Sequence, residues 1–342
     1  MAAVQFGLIA CSSIARRRFL PALKLATGAQ LASIGSRDRA KAEQFAREFS
    51  APRFGTYEDI LADPQINAVY ISTPPTMHAE WVQKAAVAGK HILCEKPAFM
   101  DVAEAQAAVA VCRQHGVRLL EGYAFKYHPQ HAQIRSLVAS GRIGAPRFFQ
   151  AEFSYPRPTE NDIRLKTDLA GGVFHDSAGY PVAAALMHIA SRPVAVSCGQ
   201  SRDAAAGVDD ACAITIHFAG GEIAQLYAAF GVNYRSRYAI AGPRGRIESE
   251  RAFSVLPDKT VAVTVETDAG LEKITVAPAD QFRLMIEDFA AQISGGRSAD
   301  GSSANFSAAS GDYETDLLRM QAVMDAAAQS AREGRAIEIK NL

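Results

Sequence analysis

Over the first 120 residues, short apolar runs alternate with longer stretches that repeat at helical period. The runs are Val4–Ala10, Leu31–Ser36, Ala68–Ser72, His91–Cys94 and Arg118–Leu120, separated by segments rich in Ala, Glu, Gln and Lys. Strands that alternate with helices predict βαβ units and a parallel sheet covered on both faces, and short, almost wholly apolar strands are what two buried faces require. After about residue 145 the pattern changes. Arg147–Tyr155, Ala211–Phe218, Ile223–Phe230, Arg237–Ala241, Arg246–Glu250, Thr260–Thr267 and Leu271–Val276 read as longer strands. Ala219-Gly220-Gly221 and Asp268-Ala269-Gly270 supply tight turns between them. Helical period returns at Ala178–Ala190, Gln281–Ile293 and Tyr313–Gly334, and Ser294–Ser310 reads as a Gly/Ser/Ala-rich surface loop. The predicted class is α/β: an N-terminal Rossmann domain over 1–122 and an α+β domain with a largely antiparallel open sheet over 123–342.

Length agrees with two domains, since 342 residues exceed the roughly 100–200 of one domain. Charge narrows the partners. Thirty-six basic residues balance 36 acidic ones, so no general electrostatic affinity for nucleic acid or anionic membrane is expected. No apolar run reaches a membrane span, and Met-Ala-Ala-Val-Gln-Phe-Gly enters a strand with no basic region before it, so a cytoplasmic protein is expected. Five scattered cysteines (Cys11, Cys94, Cys112, Cys198, Cys212) show no metal-ligand spacing and read as free thiols, with no metal site.

A first strand, a tight turn and a helix form the place where a dinucleotide pyrophosphate rests on a helix N-terminus. Here the turn is Ala10-Cys11-Ser12-Ser13-Ile14-Ala15, with Ala, Ser and Ala at the usual glycine positions. Small residues still allow close backbone approach, and Ser12 or Ser13 can donate to phosphate or cap the helix. Arg16-Arg17-Arg18 follows, either as a solvated face or with one arginine reaching phosphate. The second strand ends in Ser36-Arg37, where NAD enzymes usually place a carboxylate for the ribose hydroxyls. A small hydroxyl followed by a guanidinium suits a 2′-phosphate, so NADP(H) is preferred and NAD(H) is the alternative, with Asp38 as the rival ribose acceptor.

Thr73-Pro74-Pro75 with His78, Cys94-Glu95-Lys96-Pro97, Glu121-Gly122-Tyr123 and His128-Pro129 together resemble the glucose–fructose oxidoreductase / inositol dehydrogenase / rhizopine catabolism (Gfo/Idh/MocA) family over essentially the whole chain. Cys11–Pro21, Asp162-Ile163-Arg164 ahead of Gly171-Gly172, Arg251–Pro257 and Ala279-Asp280-Gln281-Phe282 are similar to its NDP-hexose 3-ketoreductases. The resemblance implies that Lys96 sits beside the nicotinamide and polarises the reacting carbon–oxygen group, with Glu95 orienting it or touching the cofactor. It implies that Thr73, Pro74 and His78 line the nicotinamide ribose, and that Lys126 replaces an arginine near the cofactor. The family's second signature, Gly-Gly followed by Asp and then His four residues later, is met by Gly171-Gly172, Asp176 and, in place of the histidine, Tyr180.

Asp176 and Tyr180 stand i and i+4, on one face of a helix, while His175 falls one residue early and reads as structural. Reducing a ketone needs hydride at carbon and a proton at oxygen. A phenol with an ordinary pKa near ~10, lowered by a neighbouring ammonium, can supply that proton. Tyr180 is therefore the expected acid and Lys96 the group that stabilises alkoxide charge. Asp176 would hold Lys96 or a substrate hydroxyl, Arg164 would contact substrate or carboxamide, and Tyr234, Arg235 and Arg237 would lie near a sugar-nucleotide diphosphate or simply be exposed strand ends. Trp81 reads as core. The expected reaction is NADP-dependent reduction of a nucleotide-linked 3-keto-deoxysugar. The alternatives are a free sugar, inositol or trans-dihydrodiol at the same site, and a regulator that binds cofactor without turnover. An apolar alternation on the open sheet predicts a homodimer or homotetramer.

Overall fold

The computed structural model describes residues 2–295 and 312–340, and these fall into two compact units. The first unit comprises 2–127 with 280–295 and 312–317; the second comprises 128–279 with 318–340. Most of the expected loop Ser294–Ser310 lies outside the described residues.

In the first unit, strands β1 (Val4–Ile9), β2 (Ala29–Gly35), β3 (Arg53–Gly55), β4 (Ala68–Ile71), β5 (His91–Cys94) and β6 (Leu119–Glu121) form one parallel sheet in the order β3-β2-β1-β4-β5-β6. Strand order reverses between β1 and β4, which opens a crevice beyond their carboxyl ends. Helices α1 (Leu20–Leu25), α2 (Arg39–Phe49), α3 (Tyr57–Ala62), α4 (His78–Val87) and α5 (Val102–Gln114) supply the crossovers. The three-residue β3 escapes the apolar pattern because Arg53 and Phe54 are only half covered at the sheet edge. Helix α8 (Gln281–Ile293) joins the core of this unit, although sequence position places it far beyond residue 122. Its Phe282, Met285, Ile286 and Phe289 fall at i, i+3, i+4 and i+7 on one face, and Phe289 packs 6.4 Å from Phe6. Burying each contributes about 1.5–3 kcal/mol.

The second unit is built on a nine-stranded sheet. It uses β7 (Phe148–Tyr155), β8 (Pro193–Arg202), β9 (Asp209–Phe218), β10 (Ile223–Phe230), β11 (Arg235–Gly242), β12 (Gly245–Ser249), β13 (Val261–Thr267), β14 (Gly270–Val276) and β15 (Ile337–Glu338). The order is β14-β13-β12-β11-β7-β10-β9-β8-β15, antiparallel throughout except for the parallel pair β7 and β10. Helix α7 (Gly179–His188) covers β7 and β10, and α6 (Pro129–Ala139) reaches β13. Ala224, Leu226, Ala228 and Phe230 point to the covered side; Phe148 and Tyr227 stand on the exposed one. The long helix α9 (Tyr313–Glu333) carries Arg319, whose guanidinium donates to the carbonyls of Leu186, Ile189 and Ser191 and so satisfies the end of α7. All five cysteines are free thiols. Among the described residues, no helix is long and apolar enough to cross a membrane.

Candidate active site

Strand β1 gives way to Ala10, which adopts a left-handed conformation (φ 81°) where the fingerprint has its first glycine. The bend is braced from β4: Ser72 donates its hydroxyl to the Ala10 carbonyl at 3.0 Å, and Ser12 donates to Ser72 at 2.8 Å. Ser12 also caps the helix, its hydroxyl accepting from Ala15 N–H and its carbonyl from Arg16 N–H. Ser13 and Ile14 occupy the first turn, where N–H groups have no intrahelical acceptor. Arg16 instead pairs with Glu48 at 2.9 Å and lies over Phe45. Arg18 lies over Phe282.

At the end of β2, Ser36 is buried and its hydroxyl accepts from Asp38 N–H at 3.2 Å. Arg37 is exposed, beside the phenol of Tyr57. Asp38 is committed elsewhere: one carboxylate oxygen accepts from Ala40 and Lys41 N–H and caps α2.

At the end of β4, the buried Thr73 hydroxyl has no hydrogen-bond partner among the described residues. His78 departs from the expected cofactor-lining role. Its ring is buried and both nitrogens meet backbone carbonyls, Nδ1 that of Pro97 at 2.8 Å and Nε2 that of Thr73 at 2.9 Å. Burial pushes its pKa down, opposed by those carbonyls. It ties the ends of β4 and β5 together as a brace. Pro74 starts the turn between them. Glu95 also turns inward, its Oε1 accepting from the Tyr70 hydroxyl at 2.5 Å and its Oε2 from Lys96 N–H at 3.3 Å, while Tyr70 stacks on Phe19. Glu95 therefore holds the backbone at Lys96 from within. Lys96 is half-buried and precedes a cis peptide bond to Pro97. Glu121, one strand over, accepts from Ala98 N–H at 3.0 Å. Lys126 lies 3.9 Å from the carboxylate of Asp316 and over the Tyr123 ring.

The second unit holds the other set. Gly171 and Gly172 are demanded by space: a side chain on Gly171 would strike the carbonyls of Lys166 and Arg164, and one on Gly172, which is left-handed (φ 106°), would strike Asp209. Asp209 in turn accepts from Phe174 N–H at 2.5 Å. Phe174–Ala178 form a wide π-type turn that runs into α7. Within it, one oxygen of Asp176 accepts from Tyr155 O–H at 2.7 Å, Arg164 Nε at 2.8 Å and Ser177 O–H at 2.9 Å. Burial would lower the Arg164 pKa, but the paired Asp176 carboxylate outweighs it and raises it. Burial, reinforced by the charge of Asp176, raises that of Tyr155. His175 is tuned by burial, which lowers its pKa against the pull of Asp209 and Asp325.

Tyr180 opens α7 half-exposed, with its ring edge-on to Phe153 at 4.9 Å and tilted against Phe253 at 5.9 Å. Phe253 is itself pinned, since Ser236 binds the N–H groups of Ala252 and Phe253 and Gln130 donates to the Arg251 carbonyl. A single-direction chain completes the hold. His188 Nε2 donates to the Tyr238 hydroxyl, that hydroxyl donates to His131 Nδ1, and His131 Nε2 donates to the Ala252 carbonyl. This is the arrangement of neutral rings that leaves the carbonyl with a donor. Tyr234 sits under the Arg251 guanidinium at 5.4 Å. Arg235 lies exposed at the start of β11, and Arg237 is held by Glu152 and Glu248. Tyr70, Phe153 and Tyr155 carry no motif of their own, and the Glu121-Gly122-Tyr123 and Arg251–Pro257 stretches do not reveal what Glu121 and Phe253 touch. Their parts come from which strand lies beside which.

A six-stranded parallel sheet with a topological switch point, a tight left-handed turn from β1 into a helix and a lysine at the end of β5 are the frame of a dinucleotide-dependent oxidoreductase. Residues 4–123 match the model of the oxidoreductase family with an NAD-binding Rossmann fold, and residues 131–248 match the GFO/IDH/MocA C-terminal domain. The chain belongs to the Gfo/Idh/MocA oxidoreductase family. It is 35% identical over 332 residues to the dTDP-3,4-didehydro-2,6-dideoxy-alpha-D-glucose 3-reductase of Saccharopolyspora spinosa, covering 97% of this chain and 98% of that one. It is 32% identical to the D-xylose 1-dehydrogenase (NADP(+)) 2 of Haloferax volcanii, covering 98% and 100%. Among solved structures, KijD10, a 3-ketoreductase from Actinomadura kijaniata in complex with NADP and TDP-benzene, superposes with a TM-score of 0.87 at 30% identity, covering 96% and 98%.

Proposed function

We propose that this chain reduces a nucleotide-linked 3-keto-deoxysugar to the 3-hydroxy sugar with NADPH. The family relation and the 3-reductase relatives support the substrate class. The cofactor fits the residues present: Thr73 offers a buried, unpartnered hydroxyl, and the carboxylate that would reject a 2′-phosphate is held in the α2 cap. Ala10, Ser12, Ser13 and Ile14 would hold the pyrophosphate, Ser36 and Arg37 the 2′-phosphate, and Thr73 and Pro74 the nicotinamide ribose, with Lys126 nearby. When bound, the cofactor supplies the hydride.

The observation that carries the reading is Tyr180, a half-exposed phenol seated on Phe153 and Phe253 at the start of α7. Tyr180 gives its proton to the carbonyl oxygen, and Lys96 stabilises the alkoxide charge that grows there. Asp176 acts as a positioning group that fixes Arg164, which meets the substrate, and Tyr155. Tyr234, which lies under Arg251, would meet the nucleotide portion. The D-xylose dehydrogenase relative favours a second reading, in which the same groups act on a free sugar.

The test follows nicotinamide absorbance with purified protein, NADP⁺ and a panel of nucleotide sugars, free sugars, inositols and dihydrodiols. Turnover confined to nucleotide sugars supports the proposal, and turnover on the free compounds alone overturns the substrate class. In Tyr180→Phe, kcat is expected to fall about 10²–10⁴-fold with NADPH binding intact; unchanged kcat removes Tyr180 as the acid. Phe148 and Tyr227, 47% and 53% exposed on the open face of the sheet, support a homo-oligomer built on that face. Sedimentation as a monomer would exclude it.

A further inference from the structure

The backbone around Lys96 is held on both flanks, by the preceding Glu95 and by Glu121 of the neighbouring strand. On its N-terminal side Glu95 accepts its N–H. On its C-terminal side Pro97 has no N–H to offer, so the first backbone donor after Lys96 belongs to Ala98. Glu121 takes that donor at 3.0 Å. The end of β6 reaches there because Glu121 stands beside Cys94 in the parallel register and Gly122 N–H donates to the Cys94 carbonyl at 2.7 Å. A side chain on Gly122 would meet that carbonyl at 3.1 Å. From α4, His78 holds the Pro97 carbonyl.

Charge is distributed as closely as the backbone. The titratable groups acting on Glu121 are Lys96 and Glu95 from the β5 end and Lys126 from the turn after β6; the thiol of Cys94 lies beside it in the register. Burial raises the Glu121 pKa and Glu95 adds to the rise, while the Ala98 N–H and the two lysines oppose both. Burial pushes the Cys94 thiol well up, so it brings no charge at neutral pH.

We propose that Glu121 is a positioning residue for Lys96, its carboxylate fixing the backbone that follows the lysine and supplying the negative charge that Lys96 and Lys126 face. It acts on the reaction through Lys96, and the catalytic part of this inference rests on the reading of Lys96 given above.

Glutamine separates hydrogen bond from charge, because its amide oxygen can accept from Ala98 N–H as the carboxylate does. Glu121→Gln is expected to melt within a few degrees of the parent and to bind NADPH within about twofold by Trp81 fluorescence. Its kcat should fall tenfold or more with little change in KM, and the alkaline limb of its pH profile should move to lower pH. Glu121→Ala, which removes the acceptor too, should also lose thermal stability. A readout without turnover follows acylation of Lys96 in the cofactor-free protein as a function of pH, by peptide mass spectrometry. Reaction at lower pH in Glu121→Gln than in the parent supports the proposal even if no nucleotide sugar is turned over, so failure of the functional reading is told apart from failure of this one. An unchanged Lys96 acylation profile in Glu121→Gln overturns it.

Discussion

Ser36 and Arg37 stand at the end of β2 with the neighbouring acid removed from play, since Asp38 caps α2. Arg37→Ala is expected to weaken NADPH binding about 10–100-fold, the loss of a charged hydrogen-bonding partner, and to leave NADH binding nearly unchanged. Titration of Trp81 fluorescence checks it, and equal losses for both cofactors would refute the assignment of Arg37 to a 2′-phosphate. The same scale shows what the chain made legible. Lys96 is legible through the resemblance that Glu95-Lys96-Pro97 carries, and Asp176 and Tyr180 through the Gly-Gly signature and their i, i+4 spacing. The left-handed Ala10 is not, because alanine is not the residue expected there and its bonds to Gly35, Ser12 and Ser72 come from backbone and tertiary neighbours. Tyr155 is equally silent, and Glu121, although part of the Glu121-Gly122-Tyr123 motif, does not show its contact: the partners lie 21 and 23 residues away along the chain. His78 is legible as a motif residue, but nothing local reveals that both its nitrogens face carbonyls.

Among the elements, the approach to α7 is the most constrained. Gly172→Ala places a methyl against Asp209 in a left-handed backbone, and the expected cost is about 1–3 kcal/mol of stability. Thermal melting measures it, and a melting temperature equal to the parent's would show that Asp209 can move aside. The strands of the first sheet were legible because burial on both faces makes them uniformly apolar. β8 was not, since its second half from Gly199 to Arg202 is exposed and carries Gln200, Ser201 and Arg202. β15 is two residues long, and α6 has a mixed polar sequence in which Gln130 and His131 are buried for their hydrogen bonds. The helix expected to begin at Ala178 is preceded by a π-type turn, which periodicity at 3.6 residues cannot reveal.

At the scale of the whole molecule, buried histidines set the response to acid. Burial lowers the pKa of His128 to about 4 and of His188 to about 3, and lowers that of His131 as well. Each folded value lies below the ordinary ~6.5, so the stabilisation is complete above about pH 6.5 and is lost as pH falls toward those values. The slope approaches about 1.4 kcal/mol per pH unit for each histidine. Asp209, Asp288 and Glu121, whose pKa values burial raises, act in the opposite sense and soften the fall. Melting temperature should hold steady from pH 8 to 7 and drop between 6 and 4.5; a flat profile down to 4.5 would contradict the neutral-ring chain through Tyr238.

The return of α8 to the first unit has a bearing on how the protein is made. Phe6 and Phe19 share a core with Phe282, Met285 and Phe289, residues that leave the ribosome only after most of the second unit has been translated. At about 5–20 residues per second, the nascent sheet waits on the order of ten seconds or more for its missing cover. During synthesis the early half of the chain is thus a client for chaperones rather than a finished domain, and a gene fragment ending near residue 127 should yield an aggregating product.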